Sequence, residues 1–322
     1  MAPVFCDCCG DTVADLLDEI ARLDTLSERL TLNRYDVKRK INRFHSLIVR
    51  QLPPDIMSTI FEFCLPDFAK FYLPLSKFFP LSLGAICSYW REIAWSTPCL
   101  WSSLVVYLNQ PTAIVQEWLA RSGQLPLSIR ILSRKPTKAL AEIINQYSNR
   151  WSDLDLCIPQ YFYPFFRATD NHAPILRSIR FHSSYTEDAL HFQLTCPRLE
   201  RVDLLSFEID GTNIQWDNLT HLVLQHMSIS DSFLIMSKTP RLVFCKISCS
   251  PCGEEGPGPI ILESLRTLQL NSSHIFLKYL ITPHLEELNV TRYNVSMDVI
   301  ASLFKRSACS LRSLSMTVTS SV

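Results

Sequence analysis

At 322 residues, with 47% hydrophobic and 19% charged side chains, the chain is long enough for two or three domains and too apolar for general disorder. Its 31 basic and 31 acidic residues cancel, so no net field draws it to nucleic acid or an anionic membrane, and neither is expected as a partner. No uncharged apolar run reaches the ~18 residues of a membrane span, the nearest being broken by Lys70, Pro74, Lys77 and Pro80.

The first twenty residues, MAPVFCDCCGDTVADLLDEI, turn acidic at once and carry no basic segment ahead of an apolar one, unlike a secretory signal. The expected location is therefore cytoplasmic and/or nuclear, with residues 1–12 disordered. In that compartment the twelve cysteines are expected to be reduced and packed as small hydrophobes. Cys6, Cys8 and Cys9 form CxCC and Cys249 with Cys252 forms CxxC, but neither has a second pair or an HxxxH nearby. Four ligands at orderly spacing are lacking, so no metal and no cofactor are expected. The sequons at Asn218, Asn271, Asn289 and Asn294 carry no weight in a cytosolic protein.

Residues 13–50 follow a heptad. Leu16, Leu23, Leu30, Val37 and Phe44 stand seven apart, and Val13, Ile20, Ile41 and Ile48 fill the alternate seam, interrupted at Ser27 and Arg34. Most acids fall at or before Glu28 and most bases at or after Arg29, which suits the helix dipole and favours an antiparallel partner over a parallel one. A coiled-coil helix is expected, with self-association possible through it; the competing reading is one amphipathic helix folded back on the rest of the chain.

Residues 51–104 read as a small all-α segment. Pro53 and Pro54 suit the first turn of a helix in which Ile56, Ile60 and Phe63 recur at helical spacing, and Pro66 ends it. Ile86, Tyr89, Trp90 and Ile93 mark a second apolar face, stopped at Ser96 to Pro98 and followed by Leu100-Trp101 and Leu104. The order of LPPDIMSTIFEFCLP and ICSYWREIAWSTPCLWSSL resembles an F-box, although the connection Asp67 to Ser82 is longer and more aromatic than usual and leaves the middle helix's register open. The resemblance implies docking on the adaptor subunit of an SCF (cullin-RING) ubiquitin ligase. It would place Leu52, Pro53, Ile56 and Ile60 on or near the adaptor surface, with Trp90 beside them, and cullin would be reached through the adaptor.

Beyond the box, Leu104 to Tyr107 reads as a strand, Ala113 to Arg121 as a helix ending at Gly123, and Leu125 to Leu132 as another strand. From residue 151 an LxxLxL-type phrase recurs. It runs from Trp151-Leu154-Leu156 through Leu176-Ile179-Phe181, Leu199-Val202-Leu204, Leu219-Leu222-Leu224, Leu242-Cys245-Ile247, Leu265-Leu268-Leu270 and Leu285-Leu288-Val290 to Leu311-Leu314-Met316. The steps of 20 to 26 residues suit a leucine-rich-repeat-like α/β solenoid over residues 105–322, built on parallel strands. Return helices are expected at Asp231 to Ser237 and Ser296 to Lys305. The Asn that usually closes such a strand is missing, so the array is expected to be irregular and its last phrase exposed or frayed. Gly253 to Pro259 reads as a surface loop.

No GxGxxG, GxxxxGK[ST], GxSxG or HExxH occurs, so no enzyme is expected. A thiol enzyme would need a cysteine of depressed pKa. Residues between the fixed apolar positions should project from the strands toward a protein substrate, among them Arg177, Arg180, Arg201, His221, Arg266 and Glu286. With the heptad helix ahead of LPPDI, and with Trp118-Leu119-Ala120-Arg121-Ser122-Gly123 and Pro126-Leu127-Ser128 after it, the chain is similar to the large families of F-box proteins of mushroom-forming fungi. The function implied is that of a non-catalytic substrate receptor. The alternative is an F-box and repeat scaffold that does not assemble into a ligase.

Overall fold

The computed structural model describes residues 12–45, 48, 51–65, 79–107, 110–182, 194–206, 214–249, 258–271, 275–291 and 296–317. The expectations for residues 1–11, including Cys6, Cys8 and Cys9, fall outside them, as do Cys252 and most of the Asp67 to Ser82 connection and of the Gly253 to Pro259 loop. The chain divides into two compact units, Met1–Leu100 and Trp101–Val322.

The first unit is helical. Helix α1 (Val13–His45) begins with a reciprocal cap: the Asp15 N–H donates to Thr12 Oγ1 at 3.2 Å, while the Thr12 N–H donates to Asp15 Oδ2 at 2.9 Å. Hydrogen bonds from Thr12 hold the Asp15 carboxyl below its usual range. Every residue from Val13 to Ile41 is exposed, so along that length α1 packs on none of the described helices of its own unit. Helix α2 (Pro54–Phe63) starts from Pro53 with Pro54 in its first turn, where a missing N–H leaves no helical bond unmade.

The second apolar face of this unit differs from the sequence expectation. Cys87 is extended (φ −158°, ψ 169°) and separates helix α3 (Leu81–Ile86) from helix α4 (Ser88–Ser96), its sulfur accepting the Trp90 N–H at 3.5 Å. Ile86 therefore belongs to another helix than Tyr89, Trp90 and Ile93, and it is 58% exposed while Ile93 is buried. Helices α3 and α4 meet at Gly84, where an added Cβ would run into the Trp95 ring. Gly84→Ala should cost this unit about 1–3 kcal/mol, since the ring must move to admit a methyl group. Its thermal unfolding should shift down; an unchanged midpoint would mean that Trp95 yields freely.

The second unit is built on a ten-stranded parallel sheet in which chain order is spatial order: β1 (Ser103–Tyr107), β2 (Leu127–Leu132), β3 (Trp151–Cys157), β4 (Ser178–His182), β5 (Arg201–Leu205), β6 (His221–Gln225), β7 (Phe244–Ser248), β9 (Thr267–Asn271), β11 (Glu287–Thr291) and β12 (Ser313–Thr317). Two short strands, β8 (Ile260–Ile261) and β10 (Leu280–Ile281), form a separate parallel pair in the connections. Helices α5 (Thr112–Arg121), α6 (Lys138–Asn145), α7 (Ile229–Ser237), α8 (Ile275–Tyr279) and α9 (Met297–Ser307) occupy five connections.

The phrase explains the sheet. Leu176, Leu199, Leu219, Leu242, Leu265 and Leu285 sit just ahead of their strands and are fully buried, and the second and third apolar positions alternate inward along each strand from β4 to β11. The last phrase departs from this, because β12 is exposed throughout and Leu314 and Met316 are 41% and 39% exposed. One residue before the place of the missing Asn, Ser206 and His226 adopt left-handed backbone after β5 and β6. Each donates its N–H to the next strand, to Gln225 O at 2.8 Å and Ser248 O at 2.6 Å. Gly123 (φ 60°) turns the chain after α5, and Arg150, pinned by Leu125 O at 2.9 Å and Ser122 Oγ at 2.7 Å, holds that turn closed. No helix among the described residues is long and apolar enough to cross a membrane.

Two candidate interaction surfaces

The first surface lies on α2, whose two sides differ sharply. Met57 and Phe61 are buried on one side, with the Phe61 ring 5.0 Å from Trp90 of α4. Ile56, Ile60 and Phe63, at i, i+4 and i+7, form an apolar row on the other and are 46%, 40% and 86% exposed. Of the residues that the F-box resemblance implies at an adaptor surface, Pro53, Ile56 and Ile60 are exposed, whereas Leu52 and Trp90 are half-buried. The Leu52 carbonyl accepts the Tyr89 hydroxyl at 3.0 Å, which ties the entry of α2 to α4. Phe63, the most exposed of the row, shares the spacing of Ile56 and Ile60 and belongs with them.

Further bonds fix α2. The Thr97 hydroxyl reaches Ser58 Oγ at 3.1 Å and Ile93 O at 2.6 Å, and the Cys99 thiol donates to Glu62 Oε1 at 3.0 Å. Burial, with Glu62 beside it, pushes the Cys99 thiol up to about 12. Burial likewise raises Cys157, Cys196, Cys245 and Cys309, Cys196 to about 12, so these five thiols stay protonated at neutral pH. Among the described residues no group of three or more His, Cys, Asp or Glu is placed to hold a metal ion.

The second surface is the sheet face opposite the buried apolar positions. Strand register lines up Val105, Arg130, Asp155, Arg180, Asp203, Val223, Lys246, Gln269, Asn289 and Ser315 in one row across ten strands. Its charged part is a ladder. Arg130 Nε donates to Asp155 Oδ2 at 2.5 Å, Arg180 Nη1 to the same oxygen at 3.1 Å, and Arg180 Nε to Asp203 Oδ2 at 3.0 Å. His182 Nε2 lies 3.8 Å from Asp203 Oδ2, and Gln225 Nε2 lies 3.4 Å from Asp203 Oδ1. Arg130 and Asp155 are buried and Arg180 is half-buried, so this part of the face is dominated by internal pairing.

The predicted substrate residues thus fall into two groups. Arg177, Arg180, Arg201 and His221 gather on and just ahead of β4, β5 and β6, with Arg201 in register with His221. Burial and the neighbouring Arg201 lower the His221 pKa, and its ring stacks on Phe244 at 5.7 Å. Arg266 and Glu286 are apart from these, ahead of β9 and β11, where Glu286 bridges Arg266 at 2.7 Å and Arg312 at 3.1 Å. Arg177 and Arg201 are exposed and form no ion pair among the described residues. The ladder residues Arg130 and Asp155 were not among those expected. The alternation of Arg and Asp one place after Ile129, Leu154, Ile179 and Val202 is the signal that could have found them.

Compared with known proteins, the chain matches no family model, no curated protein and no solved structure.

Proposed function

We propose that the chain is a non-catalytic substrate receptor of an SCF ubiquitin ligase: an F-box that docks the adaptor, followed by a leucine-rich-repeat-like solenoid whose open sheet face takes a protein substrate. The observation that carries this is the row Ile56, Ile60 and Phe63, apolar and exposed on a helix whose opposite side is already filled by Met57 and Phe61. Covering two half-exposed isoleucines contributes on the order of 1 kcal/mol each, so the row holds binding free energy that the described residues leave unused. The resemblance of LPPDI and of the Trp90-Arg91 and Pro98 to Trp101 segments to an F-box identifies the partner. With the adaptor held on one unit and a substrate on the other, substrate lysines would be kept at high local concentration near the ligase's charged enzyme. Exposed Arg177 and Arg201 are the foremost candidates for substrate contact.

The test is a pull-down of the purified chain with SCF adaptor and cullin beside an Ile56→Asp, Ile60→Asp variant. These positions are exposed, so the variant should keep its fold. Wild type should retain both subunits and the variant neither. A folded wild type that retains no adaptor would leave an interaction scaffold outside any ligase.

A further inference from the structure

Helix α1 presents a large apolar surface that no described residue of its own unit covers. Seven large apolar side chains on its two seams, Val13, Leu16, Ile20, Leu23, Leu30, Val37 and Ile41, are 44–68% exposed, and Leu17 and Leu26 flank them, a long apolar stripe of the kind that marks an interaction site. A helix gains most of its stability from a packed face, and this one has none among the described residues of its own unit. We propose that α1 pairs with α1 of a second copy of this chain as an antiparallel two-stranded coiled coil.

The charges and the two interrupted seam positions select both partner and direction. Ser27 and Arg34 share a seam with Val13, Ile20 and Ile41, while Leu16, Leu23, Leu30 and Val37 make the other. If Ser27 of one helix faces Leu30 of the second copy, each layer sets one seam against the other. Leu16 then meets Ile41, Ile20 meets Val37, and Leu23 meets Arg34, which uses nearly the full helix. In this register the Arg34 guanidinium emerges beside Asp24 of the second copy, and Glu19 flanks the seam opposite Lys40. By symmetry each contact occurs twice. A parallel pair would place Arg34 against Arg34 in the seam and Glu19 against Asp24, opposing like charge with like charge. The same sequence that makes the antiparallel pair complementary makes the parallel pair self-repelling. The C-terminal ends of the two helices, and the chains that follow them, would then emerge about 50 Å apart.

Sedimentation of the full chain across micromolar to tens-of-micromolar concentration tests this. Wild type should reach the mass of two chains, and Leu23→Asp with Leu30→Asp should give one chain while the sheet unit's unfolding is unchanged. Glu19→Lys should weaken the dimer by about tenfold, because two attractive contacts become repulsive, and Glu19→Lys with Lys40→Glu should restore it. Three results would overturn the proposal: a wild type that stays monomeric, a dimer that survives the two seam aspartates, or a Glu19→Lys change that tightens association, as a parallel pair requires.

Discussion

Asp155→Ala is expected to destabilise the sheet unit by about 3–5 kcal/mol, read as a lower urea midpoint. Asp155 pairs with Arg130 at 2.5 Å, and it shares Arg180 with Asp203. Arg130 is 1% exposed, so water does not replace the lost carboxylate, and a guanidinium retains its charge at any physiological pH. The loss is thus one of charge compensation rather than of a surface ion pair, which would contribute well under 1 kcal/mol. A double replacement, Arg130→Met with Asp155→Leu, separates the two meanings. It removes both buried charges at similar volume and leaves Arg180 its contact with Asp203, so stability should return to within about 1–2 kcal/mol of wild type. If the single and double replacements were equally damaging, packing rather than charge would govern the site.

Phe61→Ala should remove about 3–5 kcal/mol from the helical unit and unfold it at a lower temperature, because a ring that is 1% exposed and seated 5.0 Å from Trp90 leaves a cavity that two short helices cannot collapse. Ile60→Asp, one residue away on the opposite side of α2, should leave the melting temperature nearly unchanged. The pair of results would show that the two sides of one helix serve different ends. A loss of stability from Ile60→Asp would instead mean that this side, too, packs within the chain.

Much of this arrangement was readable from spacing. The phrases from Trp151 to Met316 each fall on a strand of the sheet, Ala113 to Arg121 and Asp231 to Ser237 lie within α5 and α7, and Ser296 to Lys305 is α9 with its capping Ser296, because period and capping act locally. Helix α6 was missed although Thr137 caps it, accepting the Leu140 N–H at 3.2 Å, and Leu140, Ala141 and Ile144 have helical spacing. The break at Cys87 escaped notice because a cysteine cap has no sequence signature comparable to Ser or Asp. The buried ladder was invisible for another reason. Position along a strand tells which face a residue takes, but Arg130 is buried and Arg201 exposed on that same face, and only neighbouring strands decide which.

The ten-stranded sheet has one property that reaches beyond its stability. Among the described residues each strand bonds only to the strands before and after it in the chain, and no crossover skips a neighbour within that sheet other than past the short β8 and β10. A strand with its connection could be gained or lost by duplication or deletion without re-pairing any other. The face would then widen or narrow by about 4.8 Å at a time. Such a scaffold can be refitted to targets of different breadth by counting modules, while the helical unit at the other end of the chain remains as it is.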